Sequence, residues 1–408
     1  MLLPLLRKKR KVVMELKISR FGAWDSATQV ARIEGAGITE LYICARPTED
    51  KGKFAEQAHS IYENLFRVLS EQGASPYHVI IEKVFFSDVE RQFQEFREIR
   101  KRWYNRHSVE LLPAISFLHQ PPCPPGRLCE LRAYALFPTG EDEVKVRSLR
   151  GTPELASGRI VEYRGIRHLY LANLTGGEET DELDFAAQAR DMFGRAEALL
   201  RKGGFSFHDV IRTWIYIDNI ERDYLDLNRV RAGFFHEHGV TRLPASTGIQ
   251  GATYPPRKKG CVMDLYALTA DRPLEIEVMH APTMNEAPQY GVLFSRGIRV
   301  VWENRNVAYV SGTASIDTEG KVVHVGDIKG QVRRMLLNVE SLLGAYDFTP
   351  HDIVSLITYL KEPGFLDTFY KIYEECSFPA DAPNCISIAD ICRPEWLCEM
   401  EAIAVLPR

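Results

Sequence analysis

The side chains with the most chemical potential lie near the carboxyl terminus, in the run LCEMEAIAV. Side chains alternate along a strand, so Glu399 and Glu401 share one face while Met400 points to the other. On a solvated edge strand such carboxylates simply face water. In a buried cleft, desolvation and a neighbouring negative charge keep one of them protonated near neutral pH, where it serves as a general acid. If the substrate is itself a carboxylate, cations must hold it, and an arginine fork does so with paired, charge-assisted hydrogen bonds. Arg212, in VIRTWIYI, stands out as a candidate because it is a charge in an otherwise apolar run. Arg212, Trp214 and Tyr216 alternate onto one face of an otherwise apolar run, and a solvated face or an ion pair between domains accounts for Arg212 equally well. Arg229 and Arg231, a little downstream, read as structural or rim charges. Gly312, Thr313 and Ala314 either bring backbone donors to a carboxylate or serve close packing. Cys392 has no histidine nearby in sequence and reads as a buried thiol. His208, His236 and His238 lack a carboxylate at metal-ligand spacing, and no glycine-rich nucleotide loop is present, so neither metal nor cofactor is expected.

These residues are positioned by a unit that occurs three times. Its central copy runs from Phe205 to Gly251: a β-branched and aromatic strand from Val210 to Ile217, a helix from Tyr224 to His238 with Leu227, Val230 and Phe234 at helical spacing, and then a polar loop, PASTGIQG. The helix and strand that lead into this unit begin at Gln188, and matching segments begin at Gln57 and Gln331. From that glutamine to the histidine of PYH, FHD or PHD is 21 residues in the first copy and 20 in the other two. A spacing and hydrophobic pattern held three times implies three homologous domains. Residues 1–16 read as a basic tail, 17–140, 144–270 and 291–408 as the domains, and 271–290 as a linker. Each domain reads as β-β-α-β-α-β, an α+β unit with two helices on one face of a sheet.

Composition agrees with a folded, water-soluble chain. Its 408 residues exceed what one core usually holds, and 45% are hydrophobic against 26% charged. A net charge of -4 argues against bulk nucleic-acid binding. No apolar stretch is long enough to span a membrane, and the basic cluster from Arg7 to Lys11 follows rather than precedes its short apolar run, the reverse of a secretory signal. The eight cysteines form no CxxC pair and suit buried thiols in a cytoplasmic protein.

The repeated unit resembles the RidA/YjgF fold, also called chorismate-mutase-like, most fully in VSGTASIDTEGKVV, CISIAD and EMEAIAV. The segments LPASTGIQG, RTWIYIDN, NRVRAGFF, FSRG and ADICRPEWLCEMEAIAV narrow the resemblance to the chorismatases, which remove pyruvate from chorismate. RidA proteins form trimers with active sites in the clefts between subunits, so the resemblance implies that three tandem copies close into a monomeric pseudo-trimer. It also implies a catalytic role for Glu399 and chorismate contacts from Arg296, Arg212, Tyr216 and the Gly312–Ala314 triplet; matching the last strands by their apolar pattern puts Glu130 and Asp264 at positions comparable to Glu399 in the other domains. Cys392 and Gly297 would shape the pocket toward 3-hydroxybenzoate. The alternatives are a chorismate hydrolase giving a dihydroxycyclohexadiene carboxylate, a RidA-like imine or enamine deaminase, and a non-catalytic metabolite-binding protein. The deaminase pattern has an arginine before the last strands, where this chain reads APNCISIAD.

Overall fold

The computed structural model describes residues 15–140, 143–150, 157–177, 184–252 and 259–408; the basic cluster from Arg7 to Lys11 lies outside them. The first domain comprises β1 (Lys17–Phe21), β2 (Thr28–Gly35), β3 (Ile38–Ala45), α1 (Phe54–Glu71), β4 (Val79–Phe86), α2 (Val89–Arg106), β5 (Ala114–His119) and β6 (Cys129–Pro138). The second repeats this order as β7 (Lys145–Arg150), β8 (Ser157–Tyr163), β9 (Ile166–Thr175), α3 (Phe185–Gly203), β10 (Val210–Ile217), α4 (Ile220–Glu237), β11 (Ala245–Gln250) and β12 (Cys261–Ala270). The third has β13 (Glu275–Met279), β14 (Gly297–Trp302), β15 (Arg305–Ala314), α5 (Ile328–Gly344), β16 (Ile353–Leu360), α6 (Leu366–Glu375), β17 (Asn384–Ile388) and β18 (Cys398–Pro407).

Each domain is therefore one six-stranded mixed sheet with two helices. The strand orders β1-β2-β3-β6-β4-β5, β7-β8-β9-β12-β10-β11 and β13-β14-β15-β18-β16-β17 are the same topology three times. Three strands, rather than the expected two, precede the first helix of each domain. The third sheet takes its first strand, β13, from the stretch read as linker. PASTGIQG, read as a loop, is largely the strand β11, paired in parallel with β10. The Ser246 amide donates to the Ser311 hydroxyl and the Thr247 hydroxyl donates to Glu401, both in the next domain, so polar residues stand where a strand's alternating apolar pattern would be expected.

The helices bury their apolar stripes on one face of each sheet, as when α1 turns Ala58, Ile61, Tyr62, Leu65 and Leu69 inward. The opposite faces meet one another at the centre of the molecule. A run of tyrosines crosses all three domains there: Tyr42 and Tyr134, Tyr134 and Tyr170, Tyr170 and Tyr266, and Tyr266 and Tyr309 have ring centroids 4.9, 5.4, 4.8 and 5.3 Å apart. Three seams close the ring. Ser116 of β5 bonds Asp264 of the second domain. The Ser295 amide donates to the Pro244 carbonyl at 3.0 Å, joining the second domain to the third. Arg46 donates to the Asn384 carbonyl at 2.6 Å and Gln29 to Ala382 at 3.0 Å, returning the third domain to the first. One chain thus builds an internal pseudo-trimer.

Candidate active site

Glu399 lies at the seam between the second and third domains. It opens into a cavity of about 270 Å³ between α4 on one side and, on the other, the segment before β14, the end of β15 and the loop before β18. The helix α4 starts at Asn219, whose side chain accepts from the Arg222 amide at 3.0 Å. It presents Tyr224, Asn228 and Arg231 to the cavity at i, i+4 and i+7, one face of a helix. The third domain contributes Tyr290, Phe294, Arg296, Gly312, Ala314, Cys392, Arg393 and Trp396.

Glu399 is 4% exposed, and no group among the described residues hydrogen-bonds its carboxyl. Burial and, after it, the charge of Glu401 push its pKa up from the usual carboxylate range to about 8, against the opposing pull of Arg212 and Arg296. It is therefore a neutral acid at pH 7. Gly312 makes room for it: a Cβ at that position would collide with the Glu399 carboxyl, lying 3.0 Å from its Cδ. Met400, between the two glutamates, is buried in the core of the third domain, as alternation requires.

The cations around the cavity are held in distinct ways. Arg296 is 3% exposed; its Nε donates to the Asn285 carbonyl at 2.8 Å, and its guanidinium lies 5.6 Å from the Tyr290 ring and 5.5 Å from the Phe294 ring. Arg393 donates to the Gly320 carbonyl at 2.7 Å and packs over Tyr290 and Trp396. Arg231 is 4% exposed, donates to Asn228 Oδ1 at 2.6 Å, and leaves its Nε without a hydrogen-bond partner among the described residues. Burial pushes its pKa down. A buried guanidinium with an open donor beside a cavity has the chemistry of a carboxylate receptor.

Of the residues singled out in the sequence, the structure brings some to the cavity and not others. Arg296, Gly312, Ala314 and Cys392 line the cavity. Arg212 does not. It pairs with Glu401 Oε2 at 2.9 Å, bonds Thr247 Oγ1, and lies over the Trp214 ring. Tyr216 is fully buried and bonds Lys83 of the first domain, at the neighbouring seam. Thr313 turns its hydroxyl onto the Ser311 carbonyl at 2.9 Å, away from the cavity lined by its two neighbours. Gly297 sits against Met279, Tyr309 and Leu342 in the core of its own domain, because alternation sends it opposite Arg296. The Gly312 amide donates to Thr247 Oγ1 at 3.0 Å and is not a free donor for substrate. Cys392 is a thiol: burial, then the charge of Glu399, push its pKa up to about 12, so it forms wall and not nucleophile. Arg231, read as a rim or structural charge, is a pocket residue. Its position four after Leu227, at the margin of the apolar stripe of α4, was the available signal.

The other two seams do not reproduce the site. Strand register pairs Phe86 with Cys129, Ile217 with Cys261 and Leu360 with Cys398, so the residues equivalent to Glu399 are Glu130 and Val262. Asp264 corresponds to Glu401, two residues on, which corrects the match drawn from apolar pattern alone. Glu130 is closed off by Arg46 at 3.2 Å and Arg127 at 2.8 Å, at the places where the third domain has Ala314 and Trp396. Burial raises the Glu130 pKa, but the two arginines outweigh it and hold the carboxyl below its usual value. At the remaining seam Lys83 lies 3.2 Å from Asp264. Asn384, in the segment APNCISIAD, faces the first domain; the strand that meets the Glu399 seam from the second domain is β11, which carries Ser246 and Thr247 and no arginine.

A ring of three α+β domains with acids and arginines at an interdomain seam defines the class of molecule. The endoribonuclease L-PSP family model matches residues 44–137, 167–262 and 284–406, once per domain, and the chain belongs to that family. A RutC family protein of Sulfurisphaera tokodaii is 31% identical over 90 residues, 22% of this chain and 69% of the relative. The 3-aminoacrylate deaminase RutC of Acinetobacter baylyi is 28% identical over 101 residues, 24% of this chain and 79% of its own. Among solved structures, a chorismatase determined at 1.08 Å superposes with a TM-score of 0.56 at 18% identity, covering 80% of this chain and 93% of that one. At that identity the likeness establishes a shared fold. No helix among the described residues is long and apolar enough to cross a membrane.

Proposed function

We propose that the protein is a chorismatase that converts chorismate to pyruvate and 3-hydroxybenzoate. The observation that carries this reading is Glu399, a buried, neutral acid without a hydrogen-bond partner among the described residues, opening into a cavity that also holds Arg231, Arg296 and Arg393. Chorismate offers such a site two carboxylates for the arginines and an enol ether for the acid. Glu399 gives its proton to the terminal methylene of the enolpyruvyl group, and the ether carbon becomes oxocarbenium-like. The bond from the ring carbon to the ether oxygen then breaks, its electron pair completing the carbonyl of pyruvate. The neighbouring ring hydroxyl closes onto the vacated carbon and returns its proton to Glu399. The epoxide-like product isomerises to the phenol, so substrate and products balance without water. A pocket wall of Cys392, Tyr224 and Trp396 supports this intramolecular branch by leaving mostly apolar surface around the ring. The eight free thiols suit a cytoplasmic setting, and the closed ring suits a monomer.

The test is incubation of purified protein with chorismate, without added metal or nucleotide, following pyruvate and ring products by chromatography and mass spectrometry beside Glu399→Gln. Pyruvate with 3-hydroxybenzoate, lost in the variant, is the expected result. A dihydroxycyclohexadiene carboxylate would select the hydrolytic branch. Absence of turnover by folded protein would overturn the assignment in favour of imine deamination or binding alone.

A further inference from the structure

Glu401 touches no part of the cavity, yet its carboxylate is the most heavily solvated by protein of any near the site. Trp214 Nε1 donates to its Oε1 at 2.6 Å, while Arg212 and the Thr247 hydroxyl donate to Oε2 at 2.9 and 2.5 Å. All three donors come from the second domain, two from β10 and one from β11, whereas Glu401 belongs to β18 of the third. Thr247 is in turn fixed by the Gly312 amide, beside Glu399. Such a cradle stabilises a negative charge two residues from Glu399 on the same strand face.

We infer that Glu401 is a positioning residue: its charge, fixed across the seam by Arg212, Trp214 and Thr247, keeps Glu399 protonated before the reaction and makes it a strong enough base to recover the proton afterwards. The inference rests on the acid role assigned to Glu399 above and extends it to a residue that never meets substrate. It also gives the seam a function, because only a docked second domain supplies the donors. The charged and titratable groups around the pair are Arg212 and Tyr216 from β10, Arg296 ahead of β14, Tyr359 from β16, Cys392 and Arg393 from the loop before β18, Cys398 of β18 itself, and Tyr224 and Arg231 from α4. Lys83 of the first domain adds its field to Glu401. Among the groups whose charges act on Glu399, Glu401 opposes Arg212 and Arg296 and outweighs each of them.

The experiment is a pH titration of the protonated-acid carbonyl stretch by infrared difference spectroscopy, wild type minus Glu399→Gln, repeated in Glu401→Gln and in Arg212→Gln/Glu401→Gln. The pH profile of chorismate turnover is recorded in parallel. Glu401→Gln should lower the midpoint by a unit or more, about a tenfold change in proton affinity. The double variant, with the opposing cation also gone, should fall between it and wild type, and it serves where the single variant fails to fold. An unmoved midpoint in either variant, or turnover lost equally at every pH, would overturn the inference and leave Glu401 a purely structural ion pair. The infrared titration reads Glu399 directly, so it stands even where chorismate proves not to be the substrate.

Discussion

Gly312 shows how a single side chain's absence sets up the chemistry. Its amide is committed to Thr247, and the space a Cβ would fill is taken by the Glu399 carboxyl. Gly312→Ala should therefore fold with modest loss of stability, because Glu399 can swing toward the cavity, yet lose most of its turnover. Circular dichroism beside steady-state kinetics checks this; an alanine variant with wild-type kcat would show that the acid's placement is not critical. Glu399 also leaves a mark on stability. Its pKa is near 8 in the folded protein and in the ordinary carboxylate range once unfolded, so the native state binds the extra proton between those values. Its contribution is complete below about pH 4 and is lost as pH rises toward 8, by up to about 1.4 kcal/mol per pH unit. Denaturant unfolding at several pH values should show a steeper fall over that window in wild type than in Glu399→Gln, and parallel curves would contradict the raised pKa.

At the scale of elements, the helix α4 and the strand β11 do for the pocket what the sequence made hard to see. Leu227, Val230 and Phe234 mark the core stripe of α4, and that stripe was legible; Arg231 lies on its flank, and only the neighbouring domain turns that flank into a pocket wall. Replacing Arg231 with Met keeps much of the bulk and removes the open donor. We expect KM for chorismate to rise by one to two orders of magnitude, with about 1.4 to 2.7 kcal/mol of binding lost and the fold intact. A KM within twofold of wild type would remove Arg231 from substrate recognition. The strand β11 was misread because Ser246 and Thr247, which serve the seam through an amide and a hydroxyl, break the apolar alternation. Strand register was beyond reach for a related reason. Asp264 and Glu399 look alike in an apolar pattern of period two, and only the pairing of β10 with β12 and of β16 with β18 shows that they differ by two residues. By contrast, the threefold repeat, the domain class and the shared face of Glu399 and Glu401 follow from local spacing, which survives in sequence.

The whole molecule explains why one site remains where symmetry would allow three. In a trimer of identical chains each seam is the same; in one chain each can diverge while the ring still closes. At the first-domain seam Arg46 has become a structural hub. It donates to the Trp24, Ser26 and Asn384 carbonyls, to Gln29 Oε1 and to Glu130, tying the loop before β2, the acid and the third domain together. Glu130 is thereby held in an ion pair, and the same arginine joins the first domain to the third. Arg46→Ala should cost about 3 to 5 kcal/mol, since it strands part of a buried charge and opens the seam between first and last domains. A melting temperature close to wild type would show the joint to be dispensable. The same divergence fixes binding stoichiometry. Titration calorimetry of chorismate into Glu399→Gln should give one site per chain, because among the described residues the positions equivalent to Glu399 are Val262 and the arginine-locked Glu130. Two or three equivalents would mean that the other seams open, and that the arginines on Glu130 act as a gate and not as a seal.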